Sequence, residues 1–442
     1  MGWRGWALAA LGGLQAGALV WGSGGAPMTQ LLAVLTAAAL GSLALLWIAF
    51  DRGLSRMHLG WVFGLALVLR LVAVQAEPLL EDDHFRYLWD GMRTAQHFDP
   101  YRQAPSAFFG SNHLAAAWQD ILSGINNPEI PTIYGPVLQA LFALAHLLAP
   151  GQIGSVQGLL LLVDLGCMAL LARQGVGTRW LLAYALHPMI LKEAMASAHP
   201  DGLVALWLLL AMGVWQRGRM RWTGALLGLA VATKVAALVV VPLFLFGQQR
   251  GRAFWRTSGA LTFGFAAALA LAYLPFLVGG GSDAAGLRAF ATQWRFNPLL
   301  FRLVEAVAPH DMARPVAGLL IAAGVAALAW HRRGSNTEGG DAAMPPVASA
   351  LLLLILMSPV VNPWYALWAL GPAIAGRQPL VAALGCVGVL AYLNGSVLPQ
   401  ALGWTFDGSA APFAVAWPIA LVQLAVLALV ALWVHRSRST QA

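Results

Sequence analysis

Apolar runs long enough to cross a lipid bilayer recur along this chain and leave little room for any other architecture. The run His58–Gln75 is one example, and runs of about 20 residues suit membrane helices. Barrel strands are about ten residues long and alternate in polarity, so these runs indicate helices. Hydrophobic residues make up 59% of the 442 positions and charged residues only 10%, against about a quarter in soluble domains. The sequence therefore predicts a single all-α polytopic membrane domain over residues 1–442.

Arginines are concentrated in the short loops between the apolar runs. An excess of Arg and Lys marks cytoplasmic loops, so this distribution predicts about 14 crossings with both termini inside. The net charge of +8 then reflects topology and does not indicate nucleic-acid binding. The arginines concerned are Arg52, Arg56, Arg173, Arg179, Arg217, Arg219, Arg221, Arg250, Arg252, Arg256, Arg332, Arg333, Arg377, Arg436 and Arg438.

Residues 77–134 form the longest polar insert and fall on the outer side in this topology. Their polar and aromatic content predicts short helices lying on the membrane surface. The insert begins with an acidic pair, Asp82 and Asp83, at the mouth of a membrane helix, where charge is costly and usually functional. A carboxylate there can remove the proton of an acceptor hydroxyl, so we predict Asp82 as a catalytic base and Asp83 as the second candidate. The alternative is a solvated turn that caps the next helix.

Apart from the loop arginines that set the topology, the other polar groups discussed below fall on the same outer side. Convergent polar groups at one end of a helix bundle are typical of a binding site. Four cations are candidates for binding a phosphate, namely Arg86, Lys192, Lys234 and Arg295. The candidates for other substrate contacts are Tyr87, Trp89, Tyr134, His199, Asp201, Asn297, Asn362 and Tyr365.

Structural roles are the alternatives for several of these residues. They are an ion pair for Arg86 or Lys234, a pair with Glu193 for Lys192, a helix cap for Asp201, a turn for Tyr134 and interface anchoring for Asn362–Tyr365. Asp164 lies alone within an apolar run and is predicted to pair between helices. Cys167 and Cys386 also lie in apolar runs, which indicates packing and not a disulfide or a metal site.

The ordered set of polar motifs resembles the GT-C glycosyltransferases, and most closely the bacterial family 87-like, polyprenyl-phosphate-mannose-dependent mannosyltransferases. The motifs are Glu81–Gly91, Asp99-Pro100-Tyr101, Asn127–Tyr134, His199-Pro200-Asp201, Thr233-Lys234, Phe296-Asn297-Pro298 and Asn362-Pro363-Trp364-Tyr365. The chain departs from the family twice. Tyr134-Gly135-Pro136 replaces a tyrosine-proline-proline motif, and His199-Pro200-Asp201 replaces histidine-asparagine-aspartate.

The resemblance implies a GT-C fold in a bacterial cytoplasmic membrane, with the outer insert covering a site that faces away from the cytoplasm. It implies transfer of a hexose, with mannose expected, from a polyprenyl-phosphate donor to a lipid or glycan acceptor. Arg86, Lys192, Lys234 and Arg295 would bind the donor phosphate. No metal is required if fixed cations neutralise the leaving phosphate, and a divalent cation near Asp83, His199 and Asp201 is the alternative.

Two functions of other classes compete with this interpretation. A lipid or ion transporter would carry ionisable groups through the full depth of the membrane, whereas those predicted here cluster at one end. A non-catalytic assembly protein of the cell envelope would not need to bind the sugar donor.

Overall fold

The computed structural model describes residues 2–246, 252–309, 311–334, 344–393 and 417–439, which fold almost entirely into helices. Within these ranges, the isolated β contact is a parallel bridge between Phe296 and Val360. The α-helices are α1 Trp3–Gly22, α2 Pro27–Phe50, α3 Leu59–Ala73, α4 Asp83–His97, α5 Ala116–Ser123, α6 Pro136–Leu148, α7 Ile153–Arg173, α8 Thr178–Ala185, α9 Gly202–Gln216, α10 Met220–Thr233, α11 Val241–Phe246, α12 Arg252–Val278, α13 Ala284–Gln293, α14 Phe301–Val307, α15 Ala313–Gly334, α16 Val347–Met357, α17 Ala366–Ala375, α18 Pro379–Gly388 and α19 Trp417–Ser439.

The predicted all-helical, multi-pass architecture is confirmed. Four helices in the described ranges are long and apolar enough to cross a bilayer, namely Pro27–Ala49, Ile153–Arg173, Phe254–Val278 and Ala313–His331. Seven further apolar helices are shorter, at 10–17 residues. The number of about 14 crossings stays a prediction.

Two of the membrane segments are interrupted at residues that the sequence singled out. After α10, Lys234 is extended, with φ −149° and ψ 121°, and a 3-10 helix, Val235–Val240, continues the path. Between α8 and α9 the chain forms a π-helix, Ile190–Ala196. Such irregular turns are rare and often accompany functional sites. The chain is therefore irregular beside both Lys192 and Lys234.

Small residues bring helices α10 and α12 into close contact. A Cβ atom added to Gly224 would lie 1.9 Å from the carbonyl oxygen of Leu261, and one added to Gly264 would lie 1.9 Å from that of Arg221. Glycine is therefore required on both helices. Close backbone approach through small residues is a common way to pack helices in membranes, where burial of apolar surface drives little association.

A buried ion pair joins α3 to α7 within the bundle. The guanidinium of Arg70 donates to Asp164, whose second carboxylate oxygen accepts a hydrogen bond of 2.9 Å from the hydroxyl of Tyr184. Arg70 also donates to the carbonyl oxygens of Ala66 and Ala185. The predicted interhelical pairing of Asp164 is confirmed. Both cysteines are free thiols, as their positions in apolar runs predict.

The outer insert contains helices α4 and α5, and α4 packs along α6. Gly91 permits the contact, because a Cβ atom there would lie 2.4 Å from the carbonyl oxygen of Phe142. The amide of Gln139 on α6 donates to the buried carboxylate of Asp90 on α4 and accepts from the hydroxyl of Thr94. These contacts hold α4, the helix that begins at Asp83, against α6.

Candidate active site

The acidic pair lies where the outer insert meets the membrane helices. The side-chain amide of Asn126 donates to one oxygen of Asp82 and, at 3.0 Å, to one oxygen of Asp83. The second oxygen of Asp83 accepts from the Tyr134 hydroxyl at 3.3 Å and lies 3.8 Å from Nε2 of His199. Asp82 is exposed, whereas Asp83 is partly buried. Asp83 therefore contacts the interior of the cluster, and Asp82 stands at its entrance.

Their surroundings shift the pKa values of the two aspartates in opposite directions. Although the side chain of Asp82 is exposed, the protein around its carboxyl group displaces part of its water, and this desolvation together with the adjacent charge of Asp83 raises the pKa of Asp82. Burial alone would raise the pKa of Asp83, but the contacts with His199 and Asn126 outweigh it and lower the pKa to about 2. A carboxylate with a raised pKa is the better proton acceptor near neutral pH, so the electrostatics favour Asp82 as a base.

The π-helix places a second group of charges behind Asp83. Both Lys192 and His199 lie next to Glu193, with Lys192 Nζ and His199 Nδ1 each 3.1 Å from its Oε2 atom. The hydroxyl of Tyr392 donates to Oε1 of Glu193 at 2.8 Å. Lys192 also donates to Tyr392 and is almost completely buried. The structure thus pairs Lys192 with Glu193, which was the alternative to phosphate binding.

The break after α10 brings Lys234 to the start of α9. Its Nζ atom lies 3.2 Å from Asp201, and the same aspartate accepts a hydrogen bond of 2.5 Å from the indole of Trp368. The ammonium group lies 5.1 Å from the ring centre of Tyr134 and 5.8 Å from that of Tyr365. Lys234 therefore has a carboxylate partner and two aromatic rings beside it, as a cation in an apolar setting requires.

Aromatic rings enclose the charged groups. Tyr87 stacks on Phe142 at 4.9 Å and meets Tyr134 edge to face at 5.3 Å. The imidazole of His199 stacks on Trp364, with ring centres 3.9 Å apart and planes 13° apart. Tyr87, Tyr134, His199, Asp201 and Tyr365, predicted from separate segments, therefore share one cluster with Asp83, Lys192 and Lys234.

The glycine in Tyr134-Gly135-Pro136 has a local structural reason. A Cβ atom at Gly135 would lie 2.1 Å from the carbonyl oxygen of Ala232, just before Lys234. A proline at this position would collide with α10. The departure from the family motif therefore lets the Tyr134 segment lie directly against the helix break that carries Lys234.

Three predicted site residues have structural partners instead. Arg86 donates to the carbonyl oxygens of Asn127 and Ile130, and so holds the segment that carries Asn126. Arg295 is 39% exposed and forms a two-pronged ion pair with Glu305, at 2.9 and 2.8 Å. Trp89 is 2% exposed and packs edge to face on Phe108. The described contacts therefore do not support phosphate binding by either arginine or sugar stacking by Trp89.

Asn297 and Asn362 lie beside a separate small cavity. The amide of Asn297 donates to the carbonyl oxygen of Val361 at 3.5 Å, and that of Asn362 to the Tyr365 hydroxyl at 3.4 Å. Both asparagines line this small cavity together with Gln423 on α19. Tyr365 connects this cavity to the charged cluster.

Sequence reasoning did not identify four residues that belong to the cluster: Glu81, Asn126, Trp368 and Tyr392. Burial raises the pKa of Glu81 to about 8, against the opposing charges of Lys192 and His199. Trp368 could have been found, because it lies one helical turn after Trp364. Tyr392 left no such signal, since its partner Glu193 is 199 positions away. In the described part of the chain, no group of three or more His, Cys, Asp or Glu residues is arranged to hold a metal ion.

Comparison with known proteins identifies the family. Residues 1–247 match the model of the alpha-(1->6)-mannopyranosyltransferase N-terminal domain, and residues 132–363 match that of glycosyltransferase family 87. The chain is similar to alpha-(1->6)-mannopyranosyltransferase B of Corynebacterium glutamicum, at 25% identity over 375 aligned positions covering 74% of this chain. It spans 60% of the length of that relative. No solved structure matches the chain. Each family model covers more than half of the sequence, and the chain therefore belongs to the GT-C membrane glycosyltransferases of family 87.

Proposed function

We propose that this protein transfers mannose from a polyprenyl-phosphate donor to a lipid or glycan acceptor on the outer side of the bacterial cytoplasmic membrane. The observation that carries the proposal is that the acidic pair, Lys234 and several aromatic rings lie in one cluster. This cluster lies beside the breaks in the membrane helices. Membership of family 87 and the similarity to a mannosyltransferase support it. A transporter is not favoured, because Arg70 and Asp164, which lie between α3 and α7 away from this cluster, are buried and neutralise each other.

In the proposed reaction, an acceptor hydroxyl oxygen attacks the anomeric carbon of the mannose. The bond between that carbon and the phosphate oxygen breaks, and polyprenyl phosphate leaves with the bonding electrons. Asp82 takes the proton of the hydroxyl, and Asn126 holds its carboxylate in place. Fixed positive charge from Lys234 stabilises the leaving phosphate. This scheme needs no metal, and addition of EDTA tests the alternative of a divalent cation near Asp83, His199 and Asp201.

The direct test is a transfer assay with purified protein in detergent. Labelled polyprenyl-phosphate-mannose, polyprenyl-phosphate-glucose and a nucleotide-linked mannose are supplied separately with an extract of the host's glycolipids. We expect label to enter glycolipid only from the first donor, with the product identified by mass spectrometry. Transfer from the nucleotide sugar, or from none of the three, would contradict the proposed donor.

The proposed orientation is tested by cysteine labelling in intact cells. With Cys167 and Cys386 replaced by serine, His113→Cys in the outer insert should react with a membrane-impermeant thiol reagent. Arg217→Cys, in an arginine-rich loop predicted to be cytoplasmic, should react only after the membrane is opened. Both positions are exposed in the structure. Reaction of both in intact cells would overturn the outward-facing site.

Lys234 should contribute to donor affinity. We expect Lys234→Met to weaken binding of the polyprenyl-phosphate donor by about 1.5–3 kcal/mol, the range for a hydrogen bond to a charged group. The same change removes the partner of Asp201, so it should also lower stability. Adding Asp201→Asn should restore stability without restoring affinity. The matched control is Arg295→Met, which removes a cation already paired with Glu305 and should leave affinity unchanged.

A donor titration and a thermal unfolding curve on each variant separate these effects. The phosphate assignment fails if Lys234→Met unfolds more easily but binds the donor as tightly as the wild type does. It also fails if Arg295→Met weakens binding as much as Lys234→Met.

A further inference from the structure

We propose that Glu193 is a positioning residue that keeps the imidazole of His199 protonated and directed at the acidic pair, where it adds a second cation to the donor-phosphate site. The inference rests on the proposed function for its consequence, but not for the geometry that supports it. Nothing in the sequence pattern links Glu193 to the chemistry, because its own neighbour Lys192 is the obvious partner.

The π-helix creates the contact between Glu193 and His199. The backbone N–H of His199 donates to the carbonyl oxygen of Glu193 at 2.8 Å, and that of Ser197 to the carbonyl oxygen of Lys192 at the same distance. Between them Ala198 takes a left-handed conformation, with φ 57°, which a non-glycine residue rarely adopts. This strained turn folds His199 back onto the side chain of Glu193.

The imidazole lies between two carboxylates. Its Nδ1 atom is 3.1 Å from Glu193 and its Nε2 atom is 3.8 Å from Asp83, while Trp364 stacks on its face. Both contacts lie within ion-pair distance but lack hydrogen-bond geometry, so the attraction is one of charge: a protonated ring is attracted to both carboxylates, and a neutral ring to neither. The two carboxylates therefore stabilise the cation.

Glu193 itself is held rigidly and charged. Its carboxylate is completely buried and accepts from Lys192 and Tyr392. The charges of Lys192 and Glu193 balance each other, so His199 remains as the cation that balances Asp83. The titratable groups that face His199 from the neighbouring elements are Glu81 from the chain before α4, Asp83, His84 and Tyr87 on α4, and Glu193 on the π-helix.

The decisive variant is Glu193→Gln, which keeps the size of the side chain and removes its charge. Losing one neighbouring carboxylate should make the imidazole about 10- to 100-fold easier to deprotonate, the lower part of the range for a close opposite charge. Because the wild-type ring is still mostly protonated at pH 8, we expect transfer by Glu193→Gln to fall about 2- to 10-fold at pH 8 and to stay close to the wild type near pH 6. Glu193→Asp should retain most of the activity at both pH values.

Tyr392→Phe is the matched control, because it removes a hydrogen bond from the same carboxylate and keeps the charge. Any loss in this variant should be the same at pH 6 and pH 8. A purely structural role for Glu193 predicts that Glu193→Gln behaves in the same way, and a pH-independent loss would overturn the proposal.

A second measurement separates this inference from the proposed function. The protein has ten histidines, so ¹⁵N-histidine NMR of the wild type and of His199→Gln identifies the His199 signals. The wild-type ring should be protonated at pH 7.5, and the ring in Glu193→Gln should lose its proton at a pH about one to two units lower than the wild-type ring does. A neutral His199 in the wild type would refute the inference even if transfer from polyprenyl-phosphate-mannose is observed. An inactive protein with a protonated His199 would refute the proposed function alone.

Discussion

Replacing Asp82 with asparagine should lower the rate of transfer by about 100-fold or more, the contribution of a well-placed base. Asparagine keeps the shape of the side chain and can still meet the amide of Asn126, but it cannot accept the proton of the acceptor hydroxyl. Because Asp82 is exposed, the variant should fold and insert normally. The wild-type rate should fall as the pH drops through the raised pKa of Asp82, since protonation removes the base.

Asp83→Asn is the informative partner of this variant. Its carboxylate has a lowered pKa and contacts Tyr134 and His199, so we expect it to orient the cluster rather than accept the proton. Asp83→Asn should therefore retain more activity than Asp82→Asn. It should also lose the ion pair with His199. The rates and melting temperatures of both variants are measured in parallel. If Asp82→Asn keeps more than about a tenth of the wild-type rate while Asp83→Asn is inactive, the base is Asp83.

Breaking the buried pair between Arg70 and Asp164 should be the most destabilising single change described here. Arg70 is fully buried, and Arg70→Met would leave the carboxylate of Asp164 inside the bundle with only the Tyr184 hydroxyl as a partner. Removing one partner of a buried ion pair typically costs about 3–5 kcal/mol. The free energy of unfolding, measured by denaturation in mixed micelles, should fall by about this amount.

The control is the exposed pair of Arg4 and Asp51, with side-chain exposures of 46% and 14%. Arg4→Met should change stability by less than about 1 kcal/mol, because water screens the pair. The double variant Arg70→Met and Asp164→Leu replaces both charges with apolar groups and should recover most of the lost stability. An Arg70→Met protein as stable as Arg4→Met would show that Asp164 finds another partner or does not need one.

Much of the candidate site was recognisable in the sequence, because a charged residue inside an apolar run is energetically costly and stands out from its neighbours. A lysine at position 234 inside an apolar run requires a polar surrounding, and the structure provides Asp201 at 3.2 Å. Asp164 in a membrane helix requires a partner, and Arg70 supplies it. The motifs around Tyr134, His199 and Trp364 are far apart in the sequence, and their side chains meet in one cluster.

The identity of each partner was not visible, because pairing depends on the path of the whole chain. Arg86 and Arg295 have the chemistry of phosphate ligands, yet one binds backbone carbonyl groups and the other binds Glu305. Trp89 has the chemistry of a sugar platform, yet α4 turns it toward Phe108. A residue type states what a side chain can do, whereas the neighbours that the fold supplies decide which of those interactions it makes.

The sequence by itself determined the membrane class, the helical architecture, the family motifs and the order in which the polar segments occur. These properties follow from local composition and from the requirement that every backbone polar group in a bilayer be satisfied within helices. Only the tertiary structure decided that Lys192 is bound by Glu193 and Tyr392, that Asn126 bridges the acidic pair, and that His199 lies between two carboxylates. Those contacts join segments up to 200 positions apart, and no local pattern encodes which distant side chains a bundle will bring together.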